Sequence, residues 1–260
     1  MVQYGERMKK TIYSAPSVKK AFRILQVLAD SSSGLGVSEL AKQLKIGKST
    51  VYGIASSLEE LGILVRDPLD KRYSIGYTLL ELARKTYARI EWREIAKAPL
   101  RRLVEKVGET TFLGVMNGDH ITILDVVESP NEMKITSPPG TRLPLLAGAT
   151  GKVFLSLLDE QMAKEILRKM KLVRYTSKSV TDPQKFLKEV KEVKIKGYAI
   201  DDEEYLLGVR AVAAPISMAS HPPVALWVVG FTSSVNDQKM EVIISEVQKA
   251  AREISESIKF

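Results

Sequence analysis

The chain has 260 residues, 45% of them apolar and 27% charged, and a formal net charge of +8. That composition suits a globular protein with room for two domains, each burying its own core. The lack of cysteine excludes disulfides, thiolate zinc sites and cysteine nucleophiles. With no N-terminal apolar core and no membrane-length apolar run, a cytoplasmic protein is expected.

Residues 1–16 are polar and mildly basic (Arg7, Lys9, Lys10), an arm that is flexible or lies along a polyanion. Ser17 to Ala29 reads as a helix capped by Ser17, with Val18, Ala21, Phe22, Leu25 and Leu28 facing inward. Residues 38–61 then predict two short helices joined by a tight turn. Ser38 caps the first, and Leu40, Ala41 and Leu44 form its apolar side. Lys45, Ile46 and Gly47 form the turn, Gly47 permitting the sharp re-entry. From Lys48, the positions Val51, Ile54, Ala55, Leu58 and Leu61 make one buried stripe, and Gly62 ends the helix.

The opposite face carries Lys48, Ser49, Thr50, Tyr52, Gly53 and Ser56, mostly short side chains that let a helix sink into a major groove. Next come two short strands, residues 63–66 and 72–75, around the turn 67–71, whose tip offers Lys71 and Arg72 to phosphate. Two helices alone would fit any packed helical hairpin. The added polar face and basic wing, in this order, favour a winged helix-turn-helix over residues 17–76. Charge agrees: residues 1–92 hold 15 Lys and Arg against 9 Asp and Glu, whereas residues 93–260 hold 24 against 22. Affinity for duplex DNA comes mainly from phosphate neutralisation, so the excess lies where that reading needs it.

Residues 77–92 predict a connector helix whose apolar side (Leu79, Leu80, Leu82, Ala83, Tyr87) suits contact with a second copy. Residues 93–260 mix helices and strands. They comprise a helix over 96–107, a hairpin over 111–127 about Gly118-Asp119, a strand over 134–137, and a Pro/Gly loop over 140–144. Helices follow over 150–158, after Asp159, and from a Thr181–Gln184 capping box. Strands over 198–201, 209–216 and 224–231 precede a last helix from Asn236. Without βαβ regularity, the fold class is α+β: a winged helix-turn-helix followed by an antiparallel-sheet domain with helices packed on it.

Other candidate chemistry is thin. Gly148-Ala-Thr-Gly-Lys152 fails the phosphate-loop spacing, which needs glycine at Leu146 and Ser or Thr at Val153. Asp201-Asp-Glu-Glu204 is a potential cation ligand set, but adjacent acids after a strand are commonly a solvated loop. His120 and His221 lack zinc-site spacing, and no nucleophile-elbow motif occurs. No metal or cofactor is expected, and an enzyme ranks below a sensor. A purely architectural DNA binder with an oligomerising second domain is the remaining alternative. The glycine-containing entry to the helix near Ala149 leaves free N–H groups suited to a carboxylate, so a small organic acid is the expected ligand; the equal alternative is that Gly148 and Gly151 only permit tight packing of helix on sheet.

The chain resembles the IclR family of transcription regulators. The resemblance rests on Ser17-Val-Lys-Lys-Ala-Phe-Arg-Ile-Leu, Ser49-Thr-Val-Tyr, Leu58-Glu-Glu-Leu-Gly, Arg72-Tyr-Ser-Ile-Gly-Tyr, Leu143-Pro-Leu-Leu-Ala-Gly-Ala-Thr-Gly-Lys152, Gly197-Tyr-Ala-Ile-Asp-Asp-Glu-Glu204 and Gly208-Val-Arg-Ala-Val-Ala-Ala-Pro215. It implies a C-terminal GAF/PAS-like effector domain and a homodimer or homotetramer on a palindromic operator in double-stranded DNA. It also implies an effector pocket at Ala149, Thr150, Asp201, Ala211, Val228 and Gly230. Ala211 stands where the family usually has cysteine, and Val228 and Gly230 stand in place of serines. Gly53 replaces a frequent arginine of the recognition helix.

Overall fold

The computed structural model describes residues 15–88, 91–218 and 222–258. The chain divides into two units, Met1–Ile90 and Glu91–Phe260.

The first unit holds α1 (Pro16–Ala29), α2 (Val37–Leu44), α3 (Lys48–Glu60), the hairpin β1 (Leu64–Arg66) and β2 (Tyr73–Ile75), and α4 (Thr78–Ala88). Pro16, not Ser17, opens α1, at a position where a missing N–H costs nothing. Only the C-terminal half of α1 is covered: Ile24 and Leu28 are buried, whereas Val18 and Phe22, expected inside, are exposed. The N-cap of α2 is Gly36, whose N–H donates to Glu39 Oε2 at 2.8 Å, so Ser38 falls inside the first turn. The turn is made by Lys45 in the left-handed region (φ 55°), while Gly47 has ordinary extended geometry as the N-cap of α3.

Gly62 ends α3 as expected. At φ 67° it lets Ile63 N–H reach Leu58 O (2.8 Å) and Gly62 N–H reach Glu59 O (2.9 Å), satisfying carbonyls left free at the helix end. Val51, Ala55 and Leu58 are buried against Leu40, Ala41, Leu44, Leu64 and Tyr73. Leu61 lies beyond the helix and is exposed, because the chain turns before completing that stripe. The connector also ends earlier than predicted. Trp92 belongs to the next helix and is buried in the second unit, whereas Leu80 and Leu82 of α4 are exposed. The N-terminal arm cations, the Tyr87 side chain and His221 lie outside the described residues.

The second unit runs α5 (Glu91–Val107), β3 (Thr110–Asn117), β4 (His120–Val127), β5 (Arg142–Pro144), α6 (Gly148–Ser156), α7 (Glu160–Lys169), α8 (Pro183–Lys196), β6 (Ala199–Asp202), β7 (Val209–Ile216), β8 (Val224–Phe231) and α9 (Asp237–Ser257). Its sheet has the order β5-β4-β3-β8-β7-β6 with every pair antiparallel. The expected strand over 134–137 is coil, and β5 forms instead inside the predicted Pro/Gly loop by pairing with His120–Thr122. Tertiary pairing overrides weak local preference there. Helix α8 is capped by Asp182, which accepts from Gln184 and Lys185 N–H, rather than by Thr181.

Alternation along β8 divides the unit. Ala225 and Trp227 join Phe154, Val153, Phe186 and Val190 in the core beneath α6 and α8. The intervening positions face the opposite side, where Gly230 abuts Val235 and Glu109.

Gly53 sits mid-helix in α3, and a Cβ there would meet no atom within 4 Å. Gly53→Ala is therefore expected to stabilise the first unit by about 0.5–1 kcal/mol, through backbone entropy alone. Urea denaturation followed by far-UV circular dichroism checks it; a loss of stability would mean the backbone there is not ordinary helix.

Candidate nucleic-acid interface and ligand cavity

Residues of α3 that do not pack inward form a surface. Lys48, Ser49, Tyr52 and Gly53 are exposed, and Thr50 and Ser56 are half-buried at its edge. This follows from the helical period: burying Val51, Ala55 and Leu58 leaves their opposites in solvent. All six α3 residues singled out from the sequence share this face or its border.

The wing differs from expectation. Arg72 does not reach outward: its guanidinium donates to Gly34 O (2.8 Å) and Glu39 Oε1 (3.0 Å), tying the hairpin to the entry of α2. Lys71 folds back on Pro68 O at 2.5 Å. The tip also carries Asp67 and Asp70, whose carboxylates accept Leu69, Asp70 and Arg72 N–H groups. Backbone donors hold the Asp67 carboxyl below the usual carboxylate range. Two acids stand beside two engaged cations at this tip, a consequence of turn chemistry that charge counting missed.

In the second unit a cavity of about 200 Å³ opens at the N-terminus of α6, between that helix and the sheet. Ala149, Thr150, Asp201 and Ala211 line it, together with Phe112, Ile123, Leu143, Tyr205, Trp227 and Val229. Val228 and Gly230 do not line it. The sequence assignment was one residue out of register on β8, which places a side chain on the wrong face; Trp227 and Val229 occupy the lining instead. Their pairing with Ala213 and Ala211 is the signal that identifies them, and it exists only in the sheet.

Helix α6 begins at Gly148, two residues earlier than predicted, with no side-chain cap on its first turn. The uncapped N–H groups and the positive end of the helix dipole open beside Ala149 and Thr150. Gly148 adopts φ 48°, and an added Cβ would fall 1.9 Å from Asp201 Oδ2, so no other residue fits. Asp201 is buried, and its Oδ1 accepts from Glu204 N–H (2.6 Å) and Tyr205 N–H (3.4 Å). Burial lifts its pKa to about 6, outweighing those backbone donors.

The rest of the acidic run is paired rather than solvated. Asp202 meets Arg210 (2.6 Å), Glu203 meets Lys178 (2.7 Å), and Glu204 meets the buried Lys152 (2.5 Å), which also binds Glu189 (2.6 Å). Lys152 thus clamps α6 to the turn that follows Asp201 at the end of β6, and to α8, a role its sequence neighbours did not reveal. His120 contacts Asp119 and Arg142, each at 3.0 Å. Among the described residues, no three His, Cys, Asp or Glu side chains converge as a metal site. A larger open depression of about 480 Å³ lies among α6, α8 and α9, where Gln248 Nε2 donates to Lys196 O.

A helix-turn-helix with an exposed α3 face, joined in one chain to an antiparallel-sheet domain with an apolar cavity, defines a ligand-responsive DNA-binding protein. Residues 17–68 match the IclR helix-turn-helix domain, and residues 84–256 match the bacterial transcriptional regulator IclR C-terminal domain. The chain belongs to the IclR family of transcriptional regulators. It is 33% identical to the HTH-type transcriptional regulator BhcR of Paracoccus denitrificans over 240 residues, 92% of this chain and 86% of that one. It is 29% identical to the HTH-type transcriptional regulator KdgR of Escherichia coli K12, over 93% of this chain and 92% of KdgR. The crystal structure of Thermotoga maritima IclR superposes with a TM-score of 0.72 at 29% identity, covering 94% of this chain and 99% of that one. The N-terminal unit is accordingly its DNA-binding domain and the C-terminal unit its effector-binding domain. Among the described residues, no helix is long and apolar enough to cross a membrane.

Asp201 yields a stability test. Its folded pKa of about 6 lies above its ordinary value near 4, so folding disfavours the ionised form. Below both values no cost exists; between pH 4 and 6 stability is lost, and above 6 the native state carries the full cost, of order 3 kcal/mol. Asp201→Asn should therefore gain stability relative to the unsubstituted protein as pH rises from 4 to 7.5. Urea denaturation at both pH values reads the difference, and a pH-independent difference would refute the assignment.

Proposed function

We propose that the protein is a cytoplasmic repressor or activator whose dimers or tetramers bind a palindromic operator and release or rearrange on binding a small organic acid. The DNA reading is carried by one observation: Lys48, Ser49, Tyr52 and Gly53 stand exposed on α3 while the opposite stripe of the same helix is buried. Lys48 meets phosphate near the helix N-terminus, and Ser49, Thr50, Tyr52, Gly53 and Ser56 lie against base edges. Exposed Leu80 on α4 supplies an apolar contact for a second copy, matching the two-fold symmetry of a palindromic site.

The ligand reading follows from the cavity. A carboxylate docks on the uncapped N–H groups of α6 beside Ala149 and Thr150, and an apolar body lies on Phe112, Ile123, Trp227 and Val229. The hydroxyls of Thr150, Ser137 and Tyr205 and the Asp201 carboxyl are the polar groups of that lining. This favours acids with apolar rather than polyhydroxylated bodies. The cavity senses its ligand and does not turn it over, in keeping with relatives that are named as regulators. Ligand binding acts through the connector to change half-site spacing.

Selection from randomised duplexes should return a two-fold symmetric site. Lys48→Ala should weaken all duplexes alike and lower the salt slope by about one phosphate contact, whereas Ser49→Ala or Tyr52→Ala should change the selected sequence. Unaltered affinity and sequence preference in all three would reverse the orientation assigned to α3.

Thermal-shift screening of small monocarboxylic acids should find a binder whose affinity rises as pH falls through about 6. The neutral Asp201 then ceases to repel the carboxylate and offers it a proton. Absence of any acid binder, or a binder insensitive to this range, would overturn the carboxylate reading.

A further inference from the structure

The wing tip carries as many acids as cations and those cations are engaged, and the outward face of α3 beyond Lys48 holds no cation. Phosphate neutralisation must therefore come from elsewhere in the unit. Arg66, the last residue of β1, stands in the right place. In the hairpin register it faces Tyr73, and its guanidinium carbon lies 5.5 Å from the centre of the Tyr73 ring. That ring is fully buried, so the planar cation rests on a fixed platform.

Arg66 Nε is buried without a hydrogen-bond partner, and among the described residues the side chain stacks on this ring and forms no ion pair. Arg72, on the same hairpin, is held by a carboxylate and a carbonyl; Arg66 is not.

Its surroundings locate it relative to α3. The Tyr73 phenol, raised above its ordinary pKa by burial, lies within electrostatic reach of Arg66, Glu59 and Tyr52. The Ser56 hydroxyl stands close to it without completing a hydrogen bond. Tyr52, Ser56 and Glu59 are spaced i, i+4 and i+7, one flank of α3. Arg66 thus sits on the hairpin beside the border of the recognition face that Tyr52 and Ser56 form, and not on that face itself. When a helix lies in the major groove, its exposed face meets base edges, and groups on elements beside that face meet the phosphodiester walls.

We infer that Arg66 is a DNA-backbone clamp: its guanidinium, aligned on the Tyr73 ring beside the Tyr52–Ser56 flank of α3, binds a phosphate bidentately at the groove wall. The inference rests on the DNA-binding reading above and adds to it a residue of the hairpin, outside α2 and α3. A guanidinium suits this role because its planar fork matches two phosphate oxygens, whereas an ammonium offers a single point charge. The ring fixes the plane of the fork before DNA arrives, which lowers the ordering cost of the contact.

The test uses the full-length protein and two duplex probes, a randomised pool and the best sequence selected from it. Arg66→Met keeps a stem to cover Tyr73 and removes the charge; Arg66→Lys keeps charge without the fork. Arg66→Met should weaken both probes about tenfold or more at 0.1 M salt, as expected for a lost charge-assisted bond, and lower the magnitude of the salt slope by about 0.9. Arg66→Lys should retain the slope and fall between the two. Equal affinity and slope for Arg66→Met and the unsubstituted protein, with unchanged thermal stability, overturn the clamp. Loss confined to the selected duplex would make Arg66 a base reader and also overturn it. Should Arg66→Met fail to fold, the lysine variant decides, since lysine binding at least as well as arginine excludes a bidentate fork. If the unsubstituted protein binds neither probe, the DNA-binding reading itself fails, an outcome distinct from the other three.

Discussion

The effector domain is organised around the contact between Asp201 and Gly148. A carboxylate oxygen lies where any β-carbon on residue 148 would have to sit, so the end of strand β6 and the first turn of α6 meet with no clearance. That approach has two consequences. It buries Asp201 and lifts its pKa to about 6, because desolvation outweighs the two backbone N–H groups that favour its charged form. It also brings an acid with a neutral-range pKa beside the uncapped, positive end of a helix, a pairing that sets the electrostatics of the cavity. The buried Lys152, bonded to Glu204 and Glu189, holds the same loop to α6 and α8 from behind. A buried ion triad of this kind contributes more to fixing one arrangement than to net stability, since desolvation offsets most of its attraction.

The DNA-binding unit is held by a different logic. Its core is small, and the elements are closed by local backbone chemistry. The left-handed Lys45 and Gly62 terminate α2 and α3, the Glu39 carboxylate caps the backbone of Gly36, and Arg72 ties the hairpin to Gly34 and Glu39. Arg72 and Arg66 lie on the same hairpin with opposite fates. One is committed to the fold, and the other rests on an aromatic ring without a carboxylate partner. Composition treats the two as equivalent, and only their surroundings separate them.

Much of the architecture was legible along the chain because it depends on near neighbours in sequence. The stripe Val51, Ala55, Leu58 predicts the buried side of α3 and hence its polar face. The Gly118-Asp119 turn predicts the β3–β4 hairpin, and Asp159 and Asn236 mark the helix starts, at which the structure places both as caps. What misled was competition between adjacent candidates of similar chemistry, as at Ser38 against Gly36, Thr181 against Asp182, and Ser17 against Pro16. There the winner is set by where the chain enters the helix.

The sequence alone determined most of the order of elements, the exposed face of α3 and the family, because helical period, turn residues and motif order are all local. Tertiary structure decided what depends on cross-strand register and on partners distant in sequence. Register on β8 put Trp227 and Val229, not Val228 and Gly230, at the cavity, since a shift of one residue reverses every side chain of a strand. Long-range pairing turned the supposed solvated run Asp201–Glu204 into a paired, partly buried wall, and turned Arg72 inward while leaving Arg66 over Tyr73. Charge counted along a chain carries no information about which cation has a neighbour, and that information is what separates a binding surface from a fold.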